Sequence, residues 1–151
     1  MSGNPRPATW LFDLGNSRLK GAWLDGRSLA EPLSLAWEAE GFDAALRARL
    51  SQWPAPERVL VASVAAAARA DRLRAALQDR PQALQQWLRS PRRGCGVTNR
   101  YGVAERLGID RFLALVAARA AADGAGAVVA GCGTALTLDA VDADGLQQGG
   151  L

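Results

Sequence analysis

Thr9-Trp-Leu-Phe-Asp-Leu-Gly-Asn-Ser-Arg-Leu-Lys-Gly-Ala-Trp-Leu24 is an apolar β-type run, a break at Gly15-Asn16-Ser17 and a second apolar run. The pattern predicts a hairpin of Thr9 to Leu14 and Arg18 to Leu24. A bend of this composition gathers backbone N–H groups and small polar side chains, an arrangement that can hold phosphate oxygens. The same device recurs at Gly131-Cys-Gly-Thr-Ala-Leu-Thr-Leu-Asp139. Two such bends suggest the two walls of a nucleotide cleft.

Outward from the first hairpin, Leu33 to Ala36 adds a short strand after Pro32. Phe42 to Gln52 carries Phe42, Ala45, Leu46, Arg49 and Leu50 at helical spacing and is stopped by Pro54. Arg58 to Val64 is a short buried strand, and the Ala-rich stretch Ala65 to Gln78 is a helix. Leu84 to Leu88 reads equally as a short helix or a strand, and Arg92 to Gly108 as a Gly- and Arg-rich loop. Asp110 to Ala122 is predicted to be a helix presenting Phe112, Leu113, Val116 and Ala120 on one face. Ala125 to Ala130 is predicted as a buried strand and Thr134 to Asp142 as another, with a turn at Asp144-Gly145 into Leu146 to Leu151. Hairpins followed by helices, then hairpins again, indicate a layered α/β protein with a repeated start.

Composition narrows the function. Of 151 residues, 49% are apolar, enough for a real core, and the net charge of +3 is scattered rather than striped, so no nucleic-acid partner is expected. No apolar run reaches membrane-spanning length, and Met1 to Pro7 lacks the hydrophobic stretch of a signal peptide, so a cytoplasmic protein without membrane association is expected. Cys95 and Cys132 have no metal or redox spacing. The absence of histidine excludes a Ser-His-Asp or Cys-His mechanism within this chain and leaves carboxylates as the natural general bases. Lysine occurs once, at position 20 inside the first bend, while every other basic residue is arginine. A compact ammonium suits a point contact with phosphate that a wide guanidinium fork does not reproduce.

Three ordered segments carry a resemblance: Asp13-x-Gly15-Asn16-Ser17-x-x-Lys20; Asn99-Arg-Tyr101 followed by Leu107-Gly-Ile-Asp-Arg111; and Gly133-Thr-Ala-x-Thr137-x-Asp139 with a trailing Gly149-Gly150. Together they resemble the type III pantothenate kinases of the acetate and sugar kinase, Hsp70 and actin superfamily, over the N-terminal part of a usual member. The resemblance implies a ribonuclease H-like, actin-like ATPase fold of duplicated domains with mixed sheets flanked by helices. The first domain is expected over residues 1–112, and an incomplete second domain over 113–151. Gln147 to Leu151 is a strand start with no helix behind it, so a truncated chain is expected.

The resemblance also implies roles, each of which has a plainer structural alternative. ATP would be bound by Asp13, Leu14, Gly15, Asn16, Ser17, Arg18, Leu19 and Lys20, together with Gly133 and Thr134. Asp13 would meet phosphates through Mg²⁺, or else cap an Asx turn. Asp139 would ligate Mg²⁺ through water, or simply end a strand. Asp110 would take the proton from the pantothenate hydroxyl, or else cap a helix. Tyr101, Gly108, Ile109, Asp110 and Arg111 would bind substrate, with Arg111 gripping its carboxylate bidentately, or else being one more solvated surface charge, and Tyr101 serving as a wall, or else simply packing.

Serine 17 replaces the usual threonine and keeps the hydroxyl. Gly131 replaces an aspartate associated with a monovalent cation, K⁺ or NH₄⁺, which puts that site in doubt. Ala104 replaces a proline after the tyrosine. A homodimer is expected from the family. The expected function is ATP-dependent phosphorylation of pantothenate, the first committed step toward coenzyme A. The alternatives are a transcription accessory factor built on the same fold and another small-molecule kinase of the superfamily.

Overall fold

The computed structural model describes residues 8–151; the N-terminal stretch Met1 to Pro7 lies outside the described residues. The chain forms two compact units dividing between Leu88 and Arg89. The expected end of the first domain, residue 112, lies within the second unit.

The first unit is a five-stranded mixed sheet bearing two helices. Strands β1 (Ala8–Leu14), β2 (Arg18–Asp25) and β3 (Ser28–Ala36) form an antiparallel meander, and β4 (Pro56–Ser63) and β5 (Leu84–Trp87) extend it in parallel, giving the order β3-β2-β1-β4-β5. The predicted hairpin is present, with its turn at Gly15 to Ser17. The third strand is longer than expected and runs through Pro32, which falls in the irregularity between the Gly21–Leu33 and Trp23–Ala30 pairs of this edge strand, where proline is tolerated. Leu84 to Trp87 resolves as a strand because it pairs with β4 at the other edge.

Strict alternation along β1 buries Trp10, Phe12 and Leu14 on one face. Register places Val59 and Val61 beside Trp10 and Phe12 on that face. Helices α1 (Phe42–Leu50) and α2 (Ala67–Ala76) deliver Phe42, Leu46 and Leu73 to the same cluster. Gly21, opposite Phe12 in the β1–β2 ladder, lies under the phenyl ring; a Cβ there would stand 2.8 Å from Phe12 Cδ1. Trp10, Trp37 and Trp53 are buried and Trp23 and Trp87 pack against the core. Several arginines pack on aromatic faces; the Arg72 and Arg74 guanidinium carbons sit 4.1 Å from the ring centroids of Phe42 and Trp87.

The second unit is organised by α3 (Ile109–Ala121) and a three-stranded antiparallel sheet, β8 (Ala127–Cys132), β9 (Leu136–Val141) and β10 (Gln147–Gly150), with β9 in the centre. The stretch expected to be a plain loop contains the two-residue strands β6 (Arg93–Gly94) and β7 (Val97–Thr98), which pair with each other.

Two expectations need correction. The buried face of α3 is Ile109, Phe112 and Leu115, while Leu113 and Ala120 are exposed; the run of apolar residues around the helix made its true inner stripe ambiguous. Strands β8 and β9 are not buried on both faces, since Val128 is 73% and Leu136 68% exposed, and β9 begins at Leu136 rather than Thr134. A short apolar run cannot by itself distinguish a two-sided from a one-sided strand.

Candidate active site

The first bend is built by its neighbours. Trp37 Nε1 donates to Gly15 O at 2.8 Å, Arg69 donates to Asn16 O, and Trp37 N donates to Ser17 O at 3.2 Å. Three successive carbonyls are thus drawn toward Trp37 and Arg69. In a planar trans peptide the N–H that follows each carbonyl points the opposite way. The amides of Asn16 and Ser17 are therefore aimed away from those two side chains, as a phosphate cradle requires.

Asp13 and Lys20 lie one step behind this turn, on the sheet face opposite the Trp10–Phe12–Leu14 core. Their charged groups are 3.5 Å apart and both side chains are substantially exposed. Leu14 and Leu19 are fully buried and paired in the sheet on both sides, with Leu14 O accepting from Val64 N, so they shape the bend rather than offer a side chain to a ligand. Arg18 lies back on β3, with Nε donating to Ser34 Oγ and Nη2 to Ser34 O.

Gly15 and Gly133 share an informative property. Neither has a positive φ. A Cβ at Gly15 would meet only Arg18 O at an ordinary 3.4 Å, and one at Gly133 only Ala135 O at 3.9 Å. Nothing in the chain's own packing demands glycine at either bend. Gly133 and Thr134 sit exposed between β8 and β9, with Gly133 N donating to Ala135 O.

In the second unit, Tyr101, Asp110, Arg111 and Asp139 form one electrostatic neighbourhood. Gly108 is the N-cap of α3, and no side chain caps it, so Asp110 is not the helix cap. Asp110 is exposed in the first turn, where unpaired N–H groups favour a carboxylate, and its Oδ1 accepts from Arg111 N at 2.8 Å. Ile109 is buried, leaving its backbone as what it can offer a substrate.

Arg111 reaches from the helix to the central strand. Its Nε donates to Asp139 Oδ2 at 2.7 Å and its Nη2 to Asp139 Oδ1 at 2.8 Å, a bidentate pair in which Asp139 is only 4% exposed. The guanidinium pKa is raised, first by the hydrogen bond to Asp139, against desolvation, with Tyr101 and Asp110 adding to the rise. Both Asp139 oxygens are thus engaged by Arg111.

The Tyr101 loop is held by residues that sequence reading left without roles. Arg92 Nη1 donates to the carbonyls of Asn99 and Tyr101 at 3.0 and 2.8 Å, and Nη2 to that of Gly102 at 2.8 Å. Asn99, 1% exposed, donates to Ala104 O and accepts from Tyr101 N. Buried Gln147 accepts from Arg100 N. A buried asparagine two residues before the chain's only tyrosine was the available signal for this scaffold; Arg92 had none, since arginines abound.

Among the described residues, no three of Asp, Glu, His and Cys gather as a metal cage, and no helix is long and apolar enough to cross a membrane. Cys95 and Cys132 are free and exposed.

Mixed sheet, flanking helices and strand–turn–strand bends define the class first: an α/β protein of the actin-like ATPase type. Residues 10–151 match the family model described as type III pantothenate kinase. The chain belongs to the type III pantothenate kinase family. Proteins named type III pantothenate kinase from Xanthomonas campestris pv. campestris and Xanthomonas oryzae pv. oryzae are each 45% identical to it over 141 residues, covering 93% of this chain and 55% of theirs. The chain therefore spans about half the length of the curated relatives it matches. The solved structure of Archaeoglobus fulgidus Pelota is a distant likeness, with a TM-score of 0.41 and 14% identity over 77% of this chain and 37% of that one.

Proposed function

We propose that the full-length protein transfers the γ-phosphoryl group of ATP to the hydroxyl of pantothenate, yielding 4'-phosphopantothenate. Family membership over residues 10–151 is the observation that carries this reading. It is supported by an exposed carboxylate, Asp110, placed beside Arg111.

In the first unit, phosphate contacts are assigned to the amides of Asn16 and Ser17 and to Lys20; in the second unit, Gly133-Thr134 is taken by itself as a phosphate-binding bend. A Cβ at either glycine would meet only one carbonyl at ordinary contact distance, so internal packing does not account for glycine at these bends. Mg²⁺, when bound, screens phosphate charge. A single exposed carboxylate such as Asp13 fits an ion that keeps most of its waters and takes other ligands from phosphate. The monovalent-cation site does not fit, because position 131 has no side chain and a Cβ there would lie 2.6 Å from Thr137 Oγ1.

Arg111 holds the pantothenate carboxylate and Tyr101 walls the pocket. Asp110, with one oxygen fixed by Arg111 N, orients the acceptor hydroxyl and accepts its proton as the oxygen–phosphorus bond forms. In the first unit, Lys20 offsets phosphate charge. A homodimer in the cytoplasm completes the reading carried over from the family.

The test is direct. Full-length protein incubated with ATP, Mg²⁺ and pantothenate should form phosphopantothenate; no product, beside an active control kinase, would overturn the assignment.

A further inference from the structure

Arg111 does not reach its place as a free surface cation. It leaves the first turn of α3 and lies against the sheet where Asp139, at the centre of β9, meets Val129 of β8 and Gly150 of β10 in register. Both Asp139 oxygens accept from one edge of the guanidinium. Gly150 supplies the room: a Cβ there would fall within contact distance of Asp139 Oδ1, Arg111 Nη2 and Leu138 O. The pairing thus depends on three positions from one helix and two strands.

A buried carboxylate paired with a single arginine is a poor way to gain stability, since removing both charges from water costs about what their attraction returns. Its physical value is orientation. A guanidinium has five N–H donors in a rigid plane, and clamping Nε and one Nη2 proton fixes the direction in which the Nη1 edge presents the rest. Resting on the assignment of Arg111 to the pantothenate carboxylate, we propose that Asp139 is a positioning residue, and Gly150 its enabling space, which together aim the unused edge of Arg111 at the substrate carboxylate. Asp139 acts through Arg111 and touches no reacting atom. Its chemistry selects substrates whose far end is an anion.

Two substrates isolate this role in the full-length enzyme: pantothenate, and pantothenol, in which a hydroxymethyl group replaces the carboxylate. Asp139→Asn should raise KM for pantothenate about tenfold or more while leaving kcat nearly unchanged. KM for pantothenol should be the same in variant and wild type. Gly150→Ala, which crowds the pair without removing a charge, should give the same split. Arg111→Ala combined with Asp139→Asn should be no worse toward pantothenate than Arg111→Ala alone.

Equal losses on both substrates, or an unchanged KM for pantothenate, would overturn the positioning role while leaving the kinase assignment standing. A wild-type enzyme that phosphorylates neither compound would overturn both. The Arg111 Nε–H resonance gives a readout apart from turnover: it should be protected from solvent exchange in the wild type and lose that protection in Asp139→Asn.

Discussion

Asp13 and Lys20 stand directly opposite each other in the β1–β2 ladder, Oδ2 and Nζ 3.5 Å apart on the face away from the core. An exposed pair of this kind contributes little to folding, because water screens it and two flexible side chains must be held. Lys20→Ala should therefore lower unfolding free energy by less than about 1 kcal/mol. If Lys20 meets phosphate, the same change should raise KM for ATP by tenfold or more, on the order of a charge-assisted contact. Urea unfolding alongside ATP titration of initial rates separates the two. Matched small effects on both would remove Lys20 from the phosphate site.

Arg92 binds three carbonyls of the Tyr101 loop with two nitrogens. A lysine cannot span those acceptors in one plane. Arg92→Lys should cost on the order of 1 kcal/mol in urea unfolding, the usual net worth of hydrogen bonds whose acceptors can turn to water. It should also raise KM for pantothenate as Tyr101 loses its support. An unchanged midpoint would show that solvent replaces these bonds without loss.

Gly21 is a packing position. Its missing Cβ makes way for Phe12, whose ring stacks on Trp53 at a centroid distance of 5.9 Å. Gly21→Ala should destabilise the first unit by about 1–3 kcal/mol, the usual cost of overfilling a core. Thermal unfolding checks this, and a stabilised variant would mean that the ring moves freely.

The raised pKa of Arg111 has a defined consequence for pH. A cation whose folded value lies above its unfolded value contributes stability that is fully present below the unfolded value. That contribution is lost only as pH climbs through the folded one. For a guanidinium this window lies far above neutrality, so Arg111 stays charged throughout the working range. The KM for pantothenate should show no basic limb from Arg111 between about pH 6 and 10. A limb that disappears in Arg111→Ala would contradict the assignment.

The parts legible in the sequence were those fixed by local chemistry. Gly15-Asn16-Ser17 breaks an apolar run so sharply that the first hairpin could be placed to within a residue, and Ala-rich spacing marked α2. Tertiary partners decided the rest. Leu84 to Trp87 became a strand because β4 offered an open edge, and the inner face of α3 was set by the sheet beneath it. Asp139 gave no local sign of its partner: Arg111 lies 28 residues earlier, and only the packing of α3 on β9 joins them. Asn99 was visible as part of a motif, yet its work, holding the Tyr101 loop from inside, depends on carbonyls that no sequence displays.

The central claim is that Asp110 handles the acceptor proton. Its most direct test is single-turnover phosphorylation of pantothenate by full-length Asp110→Asn beside wild type, with pantothenate binding measured on both by calorimetry. The account predicts a rate lower by 10²-fold or more, on the order of general-base catalysis, with affinity held within about threefold. A variant that turns over at the wild-type rate would contradict it.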